Sequence, residues 1–353
     1  MDLSPRVITL GTAGGPRWWD ASTAGKRRHG IATAVVVGTS VYLVDCGRGA
    51  SSQFAEAGLD ASQLRGIFLT HLHSDHTVDL AGMLLFGWMM TGQRQGAPLR
   101  IIGPGDRGML PPVNQNAQTQ IQPLFADTPT AGTAAMVEHL FRAYSADLTD
   151  RMLDSLRPSP YTVFEAQDIA IPRETGYHPN ENATPEGMDP FTIYSDELVT
   201  VTATLVAHSP VAPAFAFRFD TAEGSVTISG DTAPCANLVR LAQDTDLLLH
   251  EAIDLDWAAQ SYADVDEATR TATLEHHQKA HTTPRQAGEL AAAAGARALA
   301  LHHLVPGNAE AAVWRVAEET FAGPVFVPDD LETISFARLR NDALAASTIT
   351  HED

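Results

Sequence analysis

The run Ile67-Phe68-Leu69-Thr70-His71-Leu72-His73-Ser74-Asp75-His76 carries the densest chemistry in the chain. Its first three residues read as a buried strand, and three imidazoles and a carboxylate follow within six positions. Side chains leaving a strand point alternately to its two sides. His71 and His73 can therefore share one metal ion while Asp75 and His76 turn towards a second. Imidazole with carboxylate suits zinc, or another first-row ion such as Mn2+ or Fe2+. A solvated histidine-rich loop is the competing reading. It fares poorly, because imidazoles packed this closely repel one another once protonated.

The elements that must position these groups are strands. Apolar runs and alternation predict them over residues 7–11, 32–45 (two, around Gly38-Thr39-Ser40), 64–69, 99–102, 199–206, 214–219, 225–229, 246–252, 299–303, 325–327 and 333–336. Helices are predicted at 51–58, 78–91, 134–148, 149–156, 284–294 and 309–321, with a frayed tail after Leu339. Thr282 or Thr283 can cap the helix that opens at Pro284. Strand ends carry further candidates: Asp45 before Cys46-Gly47, His208 before Ser209-Pro210, Asp231 in Gly230-Asp231-Thr232, Glu251 after His250, and the pair His302-His303. Trp18 and Trp19 follow the first strand, and Phe86 and Trp88 lie on the helix after His76. All four read either as packing anchors or as an apolar wall beside the metals.

The chain has 353 residues, 44% hydrophobic and 19% charged, as a soluble globular protein does. Lys+Arg 23 against Asp+Glu 43 gives a net charge of -20. Such acidity argues against a polyanion partner, whose binding depends on neutralising phosphates. Two cysteines, Cys46 and Cys235, make no disulfide framework and favour a reducing compartment. No secretory pattern opens the sequence and no apolar run reaches the ~18 residues of a membrane span. A cytoplasmic protein is expected, a removed leader aside.

Thr70-His71-Leu72-His73-Ser74-Asp75-His76 resembles the metal-binding signature of the metallo-β-lactamase superfamily, and later motifs narrow the resemblance to its ribonuclease Z-like branch. Asp45-Cys46-Gly47 is similar to the family's D-x-G turn, Gly230-Asp231-Thr232 to its GDT turn, His250-Glu251-Ala252 to its HEAT motif, and His281-Thr282-Thr283 to its H-S-T. The resemblance implies an α/β fold, a four-layer αββα sandwich filling one domain over 1–353. Residues 108–195 fit that pattern poorly and are expected to form a mostly helical insertion, a lid or oligomer contact. It also implies two Zn2+ ions. His71, His73 and His208 would hold the first, Asp75, His76 and His303 (rather than His302) the second, with Asp231 bridging them. Water activated between such ions, its pKa lowered from 15.7 to about 7, would attack the substrate. Asp75, His281 and Glu251 would be catalytic, His281 donating the leaving-group proton and Glu251 orienting it.

The substrate expected on these grounds is a small, apolar or aromatic ester-type molecule: a carboxylic ester or lactone, a phosphodiester or a sulfate ester. The chain then stands near ribonuclease Z without being ribonuclease Z itself, binds neither nucleic acid nor membrane, and forms a homodimer or higher homo-oligomer. Two alternatives are a transfer-RNA 3′-processing endonuclease and a non-catalytic metal-binding or redox protein on the same fold. Against the nuclease stands the short interval from His208 to Asp231, which leaves no room for the long basic arm of ribonuclease Z.

Overall fold

The structure, a computed structural model, describes residues 5–21, 27–91, 97–115, 117, 120, 122–336 and 339. Runs of Val, Ile, Leu and Phe build its strands: β1 (Arg6–Gly11), β2 (Ala32–Val37), β3 (Ser40–Val44), β4 (Leu64–Phe68), β5 (Leu99–Pro104), β6 (Phe164–Ile169), β7 (Phe191–Ser195), β8 (Val199–Leu205), β9 (Phe215–Thr221), β10 (Gly224–Ile228), β11 (Leu247–Ile253), β12 (Leu299–Val305), β13 (Val325–Phe326) and β14 (Glu332–Ser335). The helices are α1 (Ala50–Glu56), α2 (Ser74–Thr77), α3 (Leu80–Met90), α4 (Thr133–Ala143), α5 (Ser145–Asp154), α6 (Pro160–Val163), α7 (Ala236–Leu241), α8 (Leu255–Ser261), α9 (Glu267–Ala280), α10 (Pro284–Ala293) and α11 (Ala311–Trp314).

Two seven-stranded sheets result, in the orders β14-β1-β2-β3-β4-β5-β6 and β13-β12-β11-β10-β9-β8-β7. Strands β3 to β6 run parallel, as do β10 to β13, and the other neighbours are antiparallel. The period of two sorts side chains into layers. Val7, Val35, Val44 and Phe68 of one sheet pack into one cluster with Val201, Phe217 and Phe219 of the other, and Phe68 meets Phe219 edge-on at 5.3 Å. Their neighbours Ile8, Leu10, Val36, Leu43 and Ile67 turn outwards against α1 and α3. On the far flank Leu248, Leu299 and Leu301 pack under Ala287 and Ala291 of α10. This is the expected αββα sandwich.

Helix boundaries depart from expectation where a local stop intervenes. The helix predicted over 78–91 is α3, which begins two residues later at Leu80 because Asp79 is its N-cap and its carboxylate accepts from the backbone of Ser51 at 2.6 Å; the short α2 lies ahead of the predicted range. Tyr144, at φ −102° and ψ 17°, sets the boundary between α4 and α5. The region 309–321 is α11 followed by a 3-10 turn. Helix α9 has no counterpart among the predicted helices, since it carries no apolar stripe. Its one signal was the cap, where the Asp266 carboxylate accepts from Thr269 N at 3.0 Å. Residues 108–195 supply α4, α5 and α6 and also β6 and β7, so the segment is threaded into one edge of each sheet. The predicted tail after Leu339 lies outside the described residues.

Within the first sheet β1, β3 and β4 point the same way, and within the second so do β8, β10, β11 and β12. Loops at the carboxyl ends of parallel strands are where such sheets place ligands. The chemistry-bearing residues follow those ends.

Candidate metal centre

From β4 the chain passes through Thr70 and His71 into α2, which places Asp75 and His76 on the first turn of a short helix with His73 at its N-cap. His71, His73 and His208 form one group of ligand atoms, with ring centroids 4.6–5.1 Å apart. Asp75, His76, Asp231 and His303 form a second. Asp231 faces both. Its Oδ1 lies 3.2 Å from His76 Nε2 and 3.3 Å from His303 Nε2, while Oδ2 lies 4.0 Å from the Nε2 atoms of His71 and His208.

Local irregularities aim these side chains. The pairing of β11 with β12 slips between Glu251 and Ala252, leaving His303 as the extra residue, with φ at 48°. Such a bulge re-aims a side chain at the cost of backbone strain. His302 consequently faces the other way, its Nδ1 3.4 Å from Thr33 Oγ1, and burial pulls its pKa down to about 3. Room for the His303 ring comes from Gly14, where a Cβ would lie 2.7 Å from Nε2. Gly230, before Asp231, sits at φ 58°, and a Cβ there would collide with Phe215 O at 2.6 Å.

Hydrogen bonds fix which nitrogen each ring offers. His76 Nδ1 donates to Asp45 Oδ2 at 2.8 Å, and Asp45 also accepts from Thr70 N and Thr70 Oγ1, each at 2.8 Å. His208 Nδ1 donates to Ala280 O at 2.9 Å, which leaves Nε2 to the cluster.

Burial holds His71 and His208 well below the ordinary imidazole range, so both keep a free lone pair. Burial opposes charge on Asp231, yet His303 and His76 beside it hold the carboxylate well below its usual range. Asp75 is lowered likewise, against burial, by His76 and His303. Nε2 of His71 and of His76 and Oδ1 of Asp231 are buried and make no hydrogen bond. Buried polar atoms without partners are costly. Neutral imidazoles and ionised carboxylates are the donor forms a divalent ion needs. The residues present fit such a group.

Beside Asp231, His281 Nδ1 lies 2.9 Å and 3.1 Å from the two carboxylate oxygens of Glu251. Although burial opposes it, the charge and hydrogen bond of Glu251 push His281 up to about 9. Glu251 is itself fully buried and its Oε1 accepts from Thr232 N at 2.8 Å. Thr283 rather than Thr282 caps α10, in a capping box with Gln286.

A cavity of about 320 Å³ opens over this cluster, with Arg17, Trp19, Tyr262, His276 and His277 in its wall. It adjoins a hollow of about 280 Å³ walled by Arg17, Trp18 and Arg48, and on the side of His73 another of about 330 Å³ containing Arg107. Trp19 is buried, its Nε1 donating to Gly14 O at 2.8 Å, and it stacks edge-on against Trp257. Trp18 is 87% exposed. The substrate wall expected at Phe86 and Trp88 is not there. Trp88 turns into the core and donates to Pro158 O at 3.0 Å, while Phe86, half a helical turn away, is 67% exposed and lines none of these hollows. Helical phase put neither on the metal side. His276 and His277, on no predicted helix, also come to the cavity wall. The missing signal was α9 itself, which brings them back beside His281.

The Metallo-beta-lactamase superfamily family model matches residues 27–89. A ribonuclease Z of Mycobacterium sp. (strain KMS) is 31% identical over 311 residues, 87% of this chain and 90% of the relative. The ribonuclease Z of Mycobacterium bovis (strain BCG / Pasteur 1173P2) is 29% identical over 310 residues, 87% of this chain and 92% of that one. Among solved structures, the short form of human tRNase Z aligns with a TM-score of 0.59 at 21% identity, over 94% of this chain and 99% of that one. These relatives overturn the expectation of a chain that resembles ribonuclease Z without being one. Divalent metal binding is what the fold implies.

Proposed function

The chain belongs to the ribonuclease Z family of metal-dependent hydrolases, and on that premise we propose that it is an endonuclease trimming the 3′ end of precursor transfer RNA. The match to ribonuclease Z over 87% of the chain carries this reading. It overturns the expectations of a small ester-type substrate and of no nucleic-acid partner. Both rested on net charge and on the short interval between His208 and Asp231. A net charge sums the whole surface, whereas a phosphodiester meets the local field, which bound cations dominate. The three adjoining hollows each carry arginine, Arg48 and Arg17 on one side of the metal cluster and Arg107 on the other. The interval itself is filled by β9 and β10, so strand contacts fall to this rim rather than to an arm.

His71, His73 and His208 would hold one ion and Asp75, His76 and His303 the other, Asp231 serving both. Zinc suits the donor set. Bound there, the two cations would polarise the phosphoryl oxygen and activate the attacking water. The chain's own residues do the rest. Asp45 and the Ala280 carbonyl orient the His76 and His208 rings. Hydrolysis forms one phosphorus–oxygen bond from water and breaks another, and the departing ribose oxygen takes a proton. His281, held protonated by Glu251, supplies it from Nε2. The reading places the enzyme in the cytoplasm as one domain. Among the described residues no helix is long and apolar enough to cross a membrane. Exposed Leu124 and Phe125 in the 108–195 segment favour a contact between copies of the chain.

The test is cleavage of a precursor transfer RNA with a 3′ trailer by protein carrying about two equivalents of zinc. Release of the trailer at one site supports the reading. Intact precursor after prolonged incubation with the loaded enzyme refutes it.

A further inference from the structure

The wall of the metal cavity holds a second cluster of imidazoles that the proposed reaction uses only in part. His276 and His277 end α9 and His281 follows as its C-cap. Their ring centroids form a nearly equilateral triangle, with separations of 5.6, 5.8 and 5.9 Å. One nitrogen from each lies within 4.8 Å of the others. The triangle of His71, His73 and His208 is only slightly tighter. Both ring nitrogens of His277 are buried without a hydrogen-bond partner, a state that asks for an occupant. His281 spends Nδ1 on Glu251, so Nε2 is the nitrogen it can offer a cation. Burial, with the neighbouring imidazoles, lowers His276 and His277 to about 4, so both rings are neutral near pH 7.

We propose that His276, His277 and His281 form a third cation site, apart from the pair at Asp231, which takes a first-row divalent ion such as Zn2+ and thereby inhibits the enzyme. Tetrahedral zinc held by three imidazoles with one open position is a stable arrangement. The inhibitory half rests on the reading of His281 as proton donor. Its Nε2 cannot hold a cation and a proton together, so a filled third site removes the acid. General acids contribute about 10²–10⁴-fold, and turnover at saturation falls by at least about 10²-fold. The site would thus make the nuclease sensitive to surplus zinc while the zinc it needs stays bound.

Equilibrium dialysis of the full chain against rising Zn2+, with metal counted by mass spectrometry, tests the binding. Three equivalents for the unaltered chain and two for the His276→Ala/His277→Ala double variant support it. Two equivalents for both overturn the third site and leave the dinuclear reading standing; fewer than two for both overturn the dinuclear reading. Anomalous scattering from crystals of the unaltered chain soaked in Zn2+ needs no variant. A peak about 2.0–2.1 Å from the three nitrogens supports the site, and no peak there overturns it. In cleavage assays surplus Zn2+ should inhibit the unaltered chain about 10²-fold and the double variant less than about threefold. Equal inhibition of both overturns the regulatory half.

Discussion

Gly14→Ala adds one methyl group and should remove one metal ion. Gly14 is not in the left-handed region, so alanine meets no torsional penalty there and any effect is steric. The new Cβ would sit 2.7 Å from His303 Nε2 and closer still to Cε1 and Nδ1. Carbon atoms reach their preferred contact only at about 3.5–4.0 Å, so the ring must retreat by about 1 Å. It has little freedom, being buried on a bulge between Asp231 and Asp75. Metal ligation tolerates about 0.2 Å. A displacement five times larger ends coordination by His303 and leaves Asp75, His76 and Asp231 to hold the second ion. A misplacement of about 1 Å commonly costs about 10² in rate, equivalent to about 2.7 kcal/mol of barrier. The expected result is one tightly held equivalent in place of two, and precursor cleavage reduced at least about 10²-fold. Melting followed by circular dichroism checks that the fold survives. A Gly14→Ala protein that keeps two equivalents and cleaves within about threefold of the unaltered chain would refute the placement of His303 as a ligand.

Three further outcomes follow from the same geometry. Because His281 carries its proton below about 9, cleavage should fall as pH rises through a limb at or below that value, the bound cations pulling it lower. Glu251→Gln removes the charge that raises His281 and should shift the limb towards acid, and an unshifted profile would sink the proton-donor role. Asp45→Asn loses the acceptor that fixes His76 and should weaken metal binding about 10–100-fold in chelator competition; unchanged affinity would mean that Asp45 serves only the backbone turn. Trp88→Ala should cost about 3–5 kcal/mol of stability in denaturant titration, whereas Phe86→Ser should stay within about 0.5 kcal/mol and leave KM unaltered. A raised KM in the Phe86 variant would restore that ring to the substrate wall.

The sequence was most legible where chemistry and chain order coincide. His71 to His76 lie in one short run after a strand, so spacing alone suggested shared ions, and long apolar runs marked the strands of both sheets. Legibility failed where geometry depends on something remote. The choice of His303 over His302 came from the family resemblance and agrees with the structure, but its cause, a bulge against β11 and the missing side chain at Gly14, is encoded in no local pattern. Helix α9 was hidden because a helix lying half-exposed over a pocket needs no apolar stripe. With it were hidden His276 and His277, whose place depends on where α9 turns back into His281.

Charge misled for a different reason. A net of -20 is a property of the whole surface, and it says little about three hollows that meet at one strand end. Arg17 illustrates the difference. Its guanidinium lies 5.3 Å from the Trp257 ring and 5.6 Å from the Tyr262 ring, and donates to the Tyr262 hydroxyl at 2.8 Å. Aromatic faces and a planar cation held together at a cavity mouth suit phosphate and base alike. On the proposed reading, nucleic-acid recognition would depend on a few residues around one cavity, which a whole-chain tally weights no more than any other charge.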